Sequence, residues 1–195
     1  MNVFHALILG MIEGVTEFLP ISSTAHLVLT EQFLGIPTTD AVKTFDVVIQ
    51  LGAVCAVVTL FWKECWKKET MKLCIVSFIP TAIIGWLVHD AVKAMLDQSV
   101  IIATSLFVGG VMMIAIEILL PERTHQQVTP LRASIIGVIQ SLAMIPGVSR
   151  SAATILGGLL MGIDRRSIVA FSFLLAIPTI LGASTLDLLQ DRKST

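Results

Sequence analysis

Four long apolar runs constrain the fold of this chain more than any other feature. Each is close to the ~20 residues that an α-helix needs to cross the hydrocarbon core of a bilayer, and together they cover roughly 45–62, 73–88, 100–120 and 168–190. Only 14% of the residues are charged, whereas about a quarter of an ordinary soluble domain is charged. The sequence therefore predicts an all-α polytopic membrane protein with about four spanning helices.

Two further apolar stretches, at 3–34 and 131–163, are interrupted in the middle by proline and by clusters of serine and threonine. Pro20 interrupts the first stretch and Pro146 the second. Proline removes a backbone donor and clashes with the preceding helical turn, so each stretch is expected to break into two half-helices joined by a polar loop.

The distribution of lysine and arginine predicts how the helices are oriented. Loops rich in these residues face the cytoplasm, and the basic residues group at positions 63, 67, 68 and 72, then at Arg123 and Arg132, and then at Arg165 and Arg166. All three groups lie on one side only if 131–163 enters the membrane and returns. We therefore expect two re-entrant helical hairpins, the first entering from outside and the second from inside.

A weak internal repeat agrees with this topology. Gly10-Met11-Ile12-Glu13 parallels Gly137-Val138-Ile139-Gln140, and each is followed within a few residues by proline and a serine-rich loop. The chain is expected to form a single domain over 1–195, with repeat halves at about 1–90 and 100–195. Inverted repeats bring their polar loops together near the bilayer midplane, where the N-termini of half-helices favour an anionic ligand.

The second polar loop has the residue types that bind phosphate. The guanidinium of Arg150 suits bidentate contact with phosphate oxygens, and it is flanked by the hydroxyls of Ser149, Ser151 and Thr154. The alternative is an arginine at a helix end that only reaches the membrane interface. The net charge of -1 gives no indication of a nucleic-acid partner.

The first polar loop contains two carboxylates four residues apart. This spacing places Glu13 and Glu17 on the same face of a helix. Two like charges so close need a cation, a shared proton or water. A divalent cation, Mg²⁺ or Ca²⁺, is one solution, because these ions prefer oxygen ligands and often bridge carboxylates to a substrate phosphate.

The same loop offers a nucleophile and a base. Ser22, Ser23 and Thr24 follow the proline, and His26 is close enough in sequence to accept a proton from a neighbouring hydroxyl. The alternatives are structural, because serine and threonine after a proline are common N-caps and a histidine there can simply be packed.

Four ordered motifs resemble the bacterial undecaprenyl diphosphate phosphatase family, which is associated with bacitracin resistance. They are EGVTEFLPISSTAH at 13–26, KTFDVVIQLGA at 43–53, PGVSRSAAT at 146–154 and FSFLLAIP at 171–178, and the resemblance covers nearly the whole chain. It implies an inner-membrane hydrolase that removes the terminal phosphate of a C55 polyprenyl diphosphate and so recycles the lipid carrier of peptidoglycan synthesis. We leave homodimer formation open.

The resemblance also implies roles for the residues of both loops. Glu13 and Glu17 match the acidic motif of the family, Ser23 and His26 match its proposed nucleophile and proton acceptor, and the phosphate loop is matched by Ser149, Arg150, Ser151 and Thr154. Ser22 and Thr24 are expected to bind substrate beside Ser23. A mechanism in which water attacks directly and Ser23 only orients the phosphate stays open.

Three features depart from the family pattern. Ala25 and Ala152 stand where glycine is usual, and the sequence ends at DRKST where family members usually continue through further transmembrane helices. The resemblance therefore implies that the C-terminal helices are lacking.

The alternative function is a transporter or flippase for a polyprenyl phosphate, because opposed repeats and broken helices are typical of transporters. A transporter needs the anion site but no nucleophile or base, so the serine and histidine favour the enzyme.

Overall fold

A computed structural model of the chain describes residues 1–95, 98–119 and 127–194. Over these residues the chain is helical and contains no strand. In chain order the helices are α1 (Val3–Thr16), α2 (Ser23–Phe33), α3 (Asp40–Leu60), α4 (Trp62–Cys65), α5 (Lys68–Met95), α6 (Ser99–Leu119), α7 (Pro130–Gln140), α8 (Arg150–Leu160) and α9 (Arg165–Ser194).

Within these ranges four helices are long and apolar enough to cross a membrane, namely α3, α5, α6 and α9. They overlap the four predicted apolar runs, so the prediction of an all-α polytopic membrane protein is confirmed. Helix α3 begins before the predicted run because the Thr39 side chain caps its N-terminus, accepting from the backbone N–H of Val42 at 3.3 Å.

The two interrupted stretches break where proline predicted. Helix α1 ends at Thr16 and α2 begins at Ser23, with Pro20 between them. Helix α7 ends at Gln140 and continues as a 3₁₀ turn over Ser141–Met144, and α8 begins only at Arg150. Each stretch therefore forms a hairpin of two short helices, α1 with α2 and α7 with α8.

Gly147 makes the second break possible. Its φ is +92°, a conformation that side chains disfavour, and a Cβ built there would lie 2.4 Å from the carbonyl oxygen of Ile102 on α6. The loop before α8 therefore lies directly against the backbone of α6. Any residue other than glycine at this position would have to displace either the loop or α6.

Helices α5 and α7 also approach each other at a glycine. A Cβ on Gly137 would lie 1.9 Å from the carbonyl oxygen of Ser77, so the two backbones touch. The Thr81 hydroxyl of α5 donates to the Gly137 carbonyl at 2.7 Å. The close approach and the hydrogen bond together fix the second hairpin on α5.

Three groups of buried apolar residues hold the helices together. The largest lies among α5, α7, α8 and α9, and its buried members are Cys74, Ala133, Ile136, Ile155, Ile163, Ile168, Phe171, Leu174 and Leu175. The second joins the first hairpin to α3 through Leu9, Leu27, Ile36 and Val42. The third lies between α3 and α9 and consists of Val54, Ala176 and Ile180. Most large apolar side chains of α6 are exposed, since Ile102 is its buried residue. An apolar outer surface of this kind is what a lipid environment requires.

The basic residues that predicted the orientation lie near helix ends. Lys63 belongs to α4 and Lys68 is the first residue of α5, while Arg132 and Arg165 lie in the first turns of α7 and α9. Arg123 lies outside the described residues. The sidedness of the chain and the entry of the two hairpins from opposite faces stay predictions.

Candidate active site

The breaks of the two hairpins meet each other. Arg150, the first residue of α8, places Nη2 3.1 Å from Oε1 of Glu17, which follows α1. The Ser151 hydroxyl donates to the Leu19 carbonyl at 2.7 Å. The polar loops that the repeat predicted to lie together are therefore in direct contact.

The Arg150 guanidinium is held by the loop after α1 and by α9. Besides Glu17, it donates from Nη1 to the Ser172 carbonyl of α9 at 3.1 Å. The ion pair is largely buried, with 15% of the Arg150 side chain and 9% of the Glu17 side chain exposed. The Nε of Arg150 is buried and has no partner among the described residues. The guanidinium therefore keeps N–H donors that the described residues do not use.

Glu17 links Arg150 to Ser23. Its Oε2 accepts a hydrogen bond from the Ser23 hydroxyl, while its Oε1 accepts from Arg150. Ser23 is the first residue of α2 and is 7% exposed. A carboxylate that accepts from a hydroxyl is placed to take its proton, as a general base does. The three side chains form a continuous series, hydroxyl to carboxylate to guanidinium.

His26 does not have the partner that the sequence predicted. Its Nδ1 lies 2.8 Å from the carbonyl oxygen of Ser22, and its backbone N–H donates to the same oxygen at 3.3 Å. The Ser22 carbonyl lies within reach of the His26 ring because it stands four residues before His26 in the chain. Among the described contacts Ser23 pairs with Glu17, and the role of His26 as proton acceptor stays a prediction.

Ser22 has a backbone conformation that is rare for a residue with a side chain. Its φ is +65° and its ψ is 94°, and it is the non-glycine residue with positive φ in the described part of the chain. Such residues concentrate at functional sites, where the surrounding structure holds them in place. Here the two contacts from His26 to the Ser22 carbonyl hold that conformation.

Glu13 lies behind this series in the interior. It is fully buried, and neither carboxyl oxygen has a hydrogen-bond donor among the described residues. The charged groups that act on it are the carboxyl groups of Glu17 and Asp46 and the guanidinium of Arg150. Two carboxyl groups in contact need a shared proton or a cation, which was the expectation for Glu13 and Glu17 from their spacing.

The structure adds two acidic residues that sequence analysis missed. Asp46 of α3 faces Glu13, and it also pairs with Glu31 of α2. Even so, in the part of the chain that the structure describes, no group of three or more histidine, cysteine, aspartate or glutamate side chains is arranged to hold a metal ion.

A cavity of about 300 Å³ opens beside the Ser23–Glu17–Arg150 series. Both half-helices α2 and α8 begin at its wall, so their positive N-terminal ends lie there. Six of the residues predicted for the site line the cavity, and these are Glu17, Ser22, Ser23, Thr24, Ser149 and Arg150. Ser149 also caps α8 by accepting from the Ala152 N–H at 3.2 Å.

Four predicted residues lie outside the lining. Besides Glu13 and His26, these are Ser151, which bonds to Leu19, and Thr154, which is fully buried. The Thr154 hydroxyl pairs with the Ser172 hydroxyl at 2.5 Å and reaches carbonyls of its own helix. These hydroxyls fasten the start of α8 to its neighbours, and a contact with substrate stays a prediction for them.

Four polar residues of the lining were missed by sequence analysis. They lie in helices that are otherwise apolar and are Gln50 of α3, Thr81 of α5, Gln140 of α7 and Thr179 of α9. A signal for Gln140 was present, because the repeat aligns it with Glu13. Nothing comparable marks Gln50 or Thr81 except that a polar side chain in a spanning helix usually faces the protein interior.

The fold and the site define a polytopic helical membrane protein with a buried centre of hydroxyl, carboxylate and guanidinium groups. A family model described as bacitracin resistance protein BacA matches residues 6–195, and the chain belongs to this family.

Curated relatives agree along nearly the whole chain. The undecaprenyl-diphosphatase of Persephonella marina is 44% identical over 98% of this chain and 77% of its own length. That of Aquifex aeolicus is 46% identical over 97% of this chain and 77% of its own length. That of a Sulfurihydrogenibium species is 43% identical over 100% of this chain and 79% of its own length.

Proposed function

We propose that this chain is an undecaprenyl-diphosphatase, a phosphoric anhydride hydrolase that removes the terminal phosphate of a C55 polyprenyl diphosphate. The curated relatives carry this name. The observation that supports the proposal most strongly is the series Ser23–Glu17–Arg150 at the wall of the cavity. It combines a hydroxyl, a proton acceptor and a cation, which hydrolysis of a phosphoric anhydride needs and mere binding of a phosphate does not.

In this mechanism Ser23 attacks the terminal phosphorus. Its oxygen forms a bond to phosphorus, the bond from phosphorus to the bridging oxygen breaks, and the hydroxyl proton passes to Glu17. Arg150 and the N-terminal amides of α2 and α8 stabilise the charge on the phosphoryl oxygens, and such positioning and electrostatic stabilisation supply most of the catalysis in phosphoryl transfer. Water then releases phosphate from Ser23.

A direct attack by water is the second route through the same site. Glu17 would then accept the proton of the water, and Ser23 would only orient the phosphate. In either route His26 contributes by holding the Ser22 backbone, which sets the direction of the neighbouring Ser23.

A divalent cation, Mg²⁺ or Ca²⁺, belongs to the proposal. Glu13 and Glu17 would hold it, and the absence of a donor on either Glu13 oxygen among the described residues fits a carboxylate whose partner is a cation. When bound, the ion would supply positive charge to the phosphoryl oxygens.

The exposed apolar faces of the spanning helices support a lipid substrate and a membrane location. The apolar tail of a polyprenyl diphosphate would lie against the exposed apolar faces of the spanning helices, with the head group in the cavity. We place the chain in the inner membrane of a bacterium, where this lipid carrier is used.

The test is release of inorganic phosphate from farnesyl diphosphate and undecaprenyl diphosphate by the purified protein in detergent. We expect steady release by the wild-type chain and a loss of at least about 10²-fold in Ser23→Ala. If the wild-type protein, reconstituted in vesicles, moves polyprenyl phosphate across the bilayer without releasing phosphate, the transporter alternative replaces the enzyme.

A further inference from the structure

The Gln140 side chain is a buried polar group that the mechanism above does not use. It is 2% exposed, it lines the cavity, and its Oε1 has no hydrogen-bond donor among the described residues. A buried acceptor without a donor destabilises the folded protein. A ligand in the cavity that donates a hydrogen bond would remove that cost.

The hydrogen bonds of Thr81 fix which end of the Gln140 amide is free. The Thr81 hydroxyl lies 2.7 Å from the Gly137 carbonyl and 3.2 Å from the Ser77 carbonyl. Its single proton is therefore donated to a carbonyl, and it can only accept from the amide at 3.0 Å. The atom beside Thr81 must be the amide nitrogen, so the unpartnered atom is the carbonyl oxygen.

The backbone around this amide is rigid. Gly137, one helical turn before Gln140, packs so closely on α5 that a Cβ would lie 1.9 Å from the Ser77 carbonyl oxygen. Thr81 bridges the same two helices. The Gln140 carbonyl oxygen is thus held in place before any ligand binds, as a preorganised catalytic group should be.

We propose that Gln140 Oε1 accepts a hydrogen bond from the water that attacks phosphorus, and that Thr81 is a positioning residue for Gln140. This rests on the proposed function, since every route through this site ends with a water at phosphorus. A water has two hydrogens to donate, and the residues that line the cavity include Glu17 and Gln140, whose carboxylate and amide oxygen can each accept one. Accepting both would point an oxygen lone pair at phosphorus.

When Ser23 is phosphorylated, water releases the phosphate. The water oxygen forms a bond to phosphorus, and the bond from phosphorus to the serine oxygen breaks. One water proton passes through Glu17 to the serine oxygen. The other, which donates to Gln140, stays on the released phosphate.

Methanol separates this role from a structural one. Methanol has a single O–H hydrogen, which goes to Glu17, so it cannot donate to Gln140. In the presence of methanol the wild-type protein should form both inorganic phosphate and methyl phosphate from farnesyl diphosphate. In Gln140→Met, which keeps the size of the side chain but removes the acceptor, phosphate formation should fall on the order of tenfold.

The ratio of methyl phosphate to phosphate should rise by a similar factor in Gln140→Met, with KM for farnesyl diphosphate unchanged. Thr81→Val should shift the ratio in the same direction, because the amide loses the partner that orients it. Thr81→Ser keeps the hydroxyl and should give the wild-type ratio. A fall of both products in proportion, or a rise in KM alone, would assign Gln140 to folding or substrate binding and overturn the proposal. Absence of phosphate release from the wild-type protein would instead refute the proposed function.

Discussion

Replacing Arg150 with lysine tests the central ion pair without removing its charge. Arg150→Met would be a poor test, because it would leave the Glu17 carboxylate buried without a cation to pair with its charge. Breaking a buried pair in this way costs about 3–5 kcal/mol of stability, enough to unfold many domains. Lysine keeps the positive charge beside Glu17 and removes only the forked geometry of the guanidinium.

The expected loss follows from the contacts of Arg150. Its Nη2 contacts Glu17 at 3.1 Å, its Nη1 contacts the Ser172 carbonyl at 3.1 Å, and its Nε has no partner among the described residues. An ammonium group presents its three donors from one nitrogen, so it lacks the extended fork that reaches a carboxylate, a carbonyl on another helix and a phosphoryl oxygen together. Losing one charged hydrogen bond to the phosphoryl group, worth about 1.5–3 kcal/mol, lowers kcat/KM by at least about tenfold.

The assay is phosphate release from farnesyl diphosphate by purified variants, with a matched control elsewhere in the chain. Arg165 pairs with Glu117 at 2.7 Å, but 45% of the Arg165 side chain and 59% of the Glu117 side chain are exposed. An exposed pair contributes little, so Arg165→Lys should keep wild-type kinetics. Wild-type kcat/KM in Arg150→Lys would remove Arg150 from the site and refute the reasoning.

Three further outcomes are expected. If carboxylates hold a divalent cation, EDTA should abolish phosphate release, added Mg²⁺ or Ca²⁺ should restore it, and Glu17→Gln should blunt the restoration; full activity in chelator contradicts the metal. In a variant without native cysteines, a cysteine at Thr38 should react with a membrane-impermeant maleimide in intact cells and one in 63–72 should not; the reverse pattern overturns the orientation. Ser23→Ala should slow phosphate release by about 10²-fold, and the double variant with Glu17→Gln should be little slower than Glu17→Gln alone, because the two side chains share one hydrogen bond. If the double variant with His26→Ala is likewise little slower than His26→Ala alone, that result would support the serine–histidine pair.

The helices and their breaks could be predicted because they depend on local properties. An apolar run long enough to cross a bilayer forms a helix whatever its neighbours are, and proline interrupts a helix through its own ring. That is why Pro20 lies between α1 and α2 and why the second break contains Pro146. The contact of Arg150 with Glu17 could be foreseen in outline from the repeat, since two opposed hairpins bring their loops together.

The partner of Ser23 could not be predicted, because it depends on side-chain directions. Ser23 is three positions from His26 and six positions from Glu17, so proximity in sequence favoured the histidine. The loop around Pro20 turns the chain back and brings Glu17 to the start of α2 instead. Likewise, Gln50 and Thr81 reach the cavity from helices whose packing decides which face points inward.

The two predicted repeat halves contribute opposite charges to one site. Ser23 and Arg150 are the first residues of α2 and α8, and they stand equally far after Glu13 and Gln140. At the same offset the position of Glu17 corresponds to Met144, and both line the cavity. Two identical halves would surround the cavity with carboxylates and repel a phosphate.

Divergence of the halves removes that conflict. The first half keeps the carboxylates, which accept protons from a hydroxyl or hold a cation, and the second half replaces them with a neutral amide and a thioether while supplying Arg150. The negative charge is thereby confined to the side of the cavity where a nucleophile must lose its proton. The opposite side can then hold an anion. Two identical hairpins could not divide the charge in this way, so the difference between the hairpins is what makes the site suitable for phosphoryl transfer.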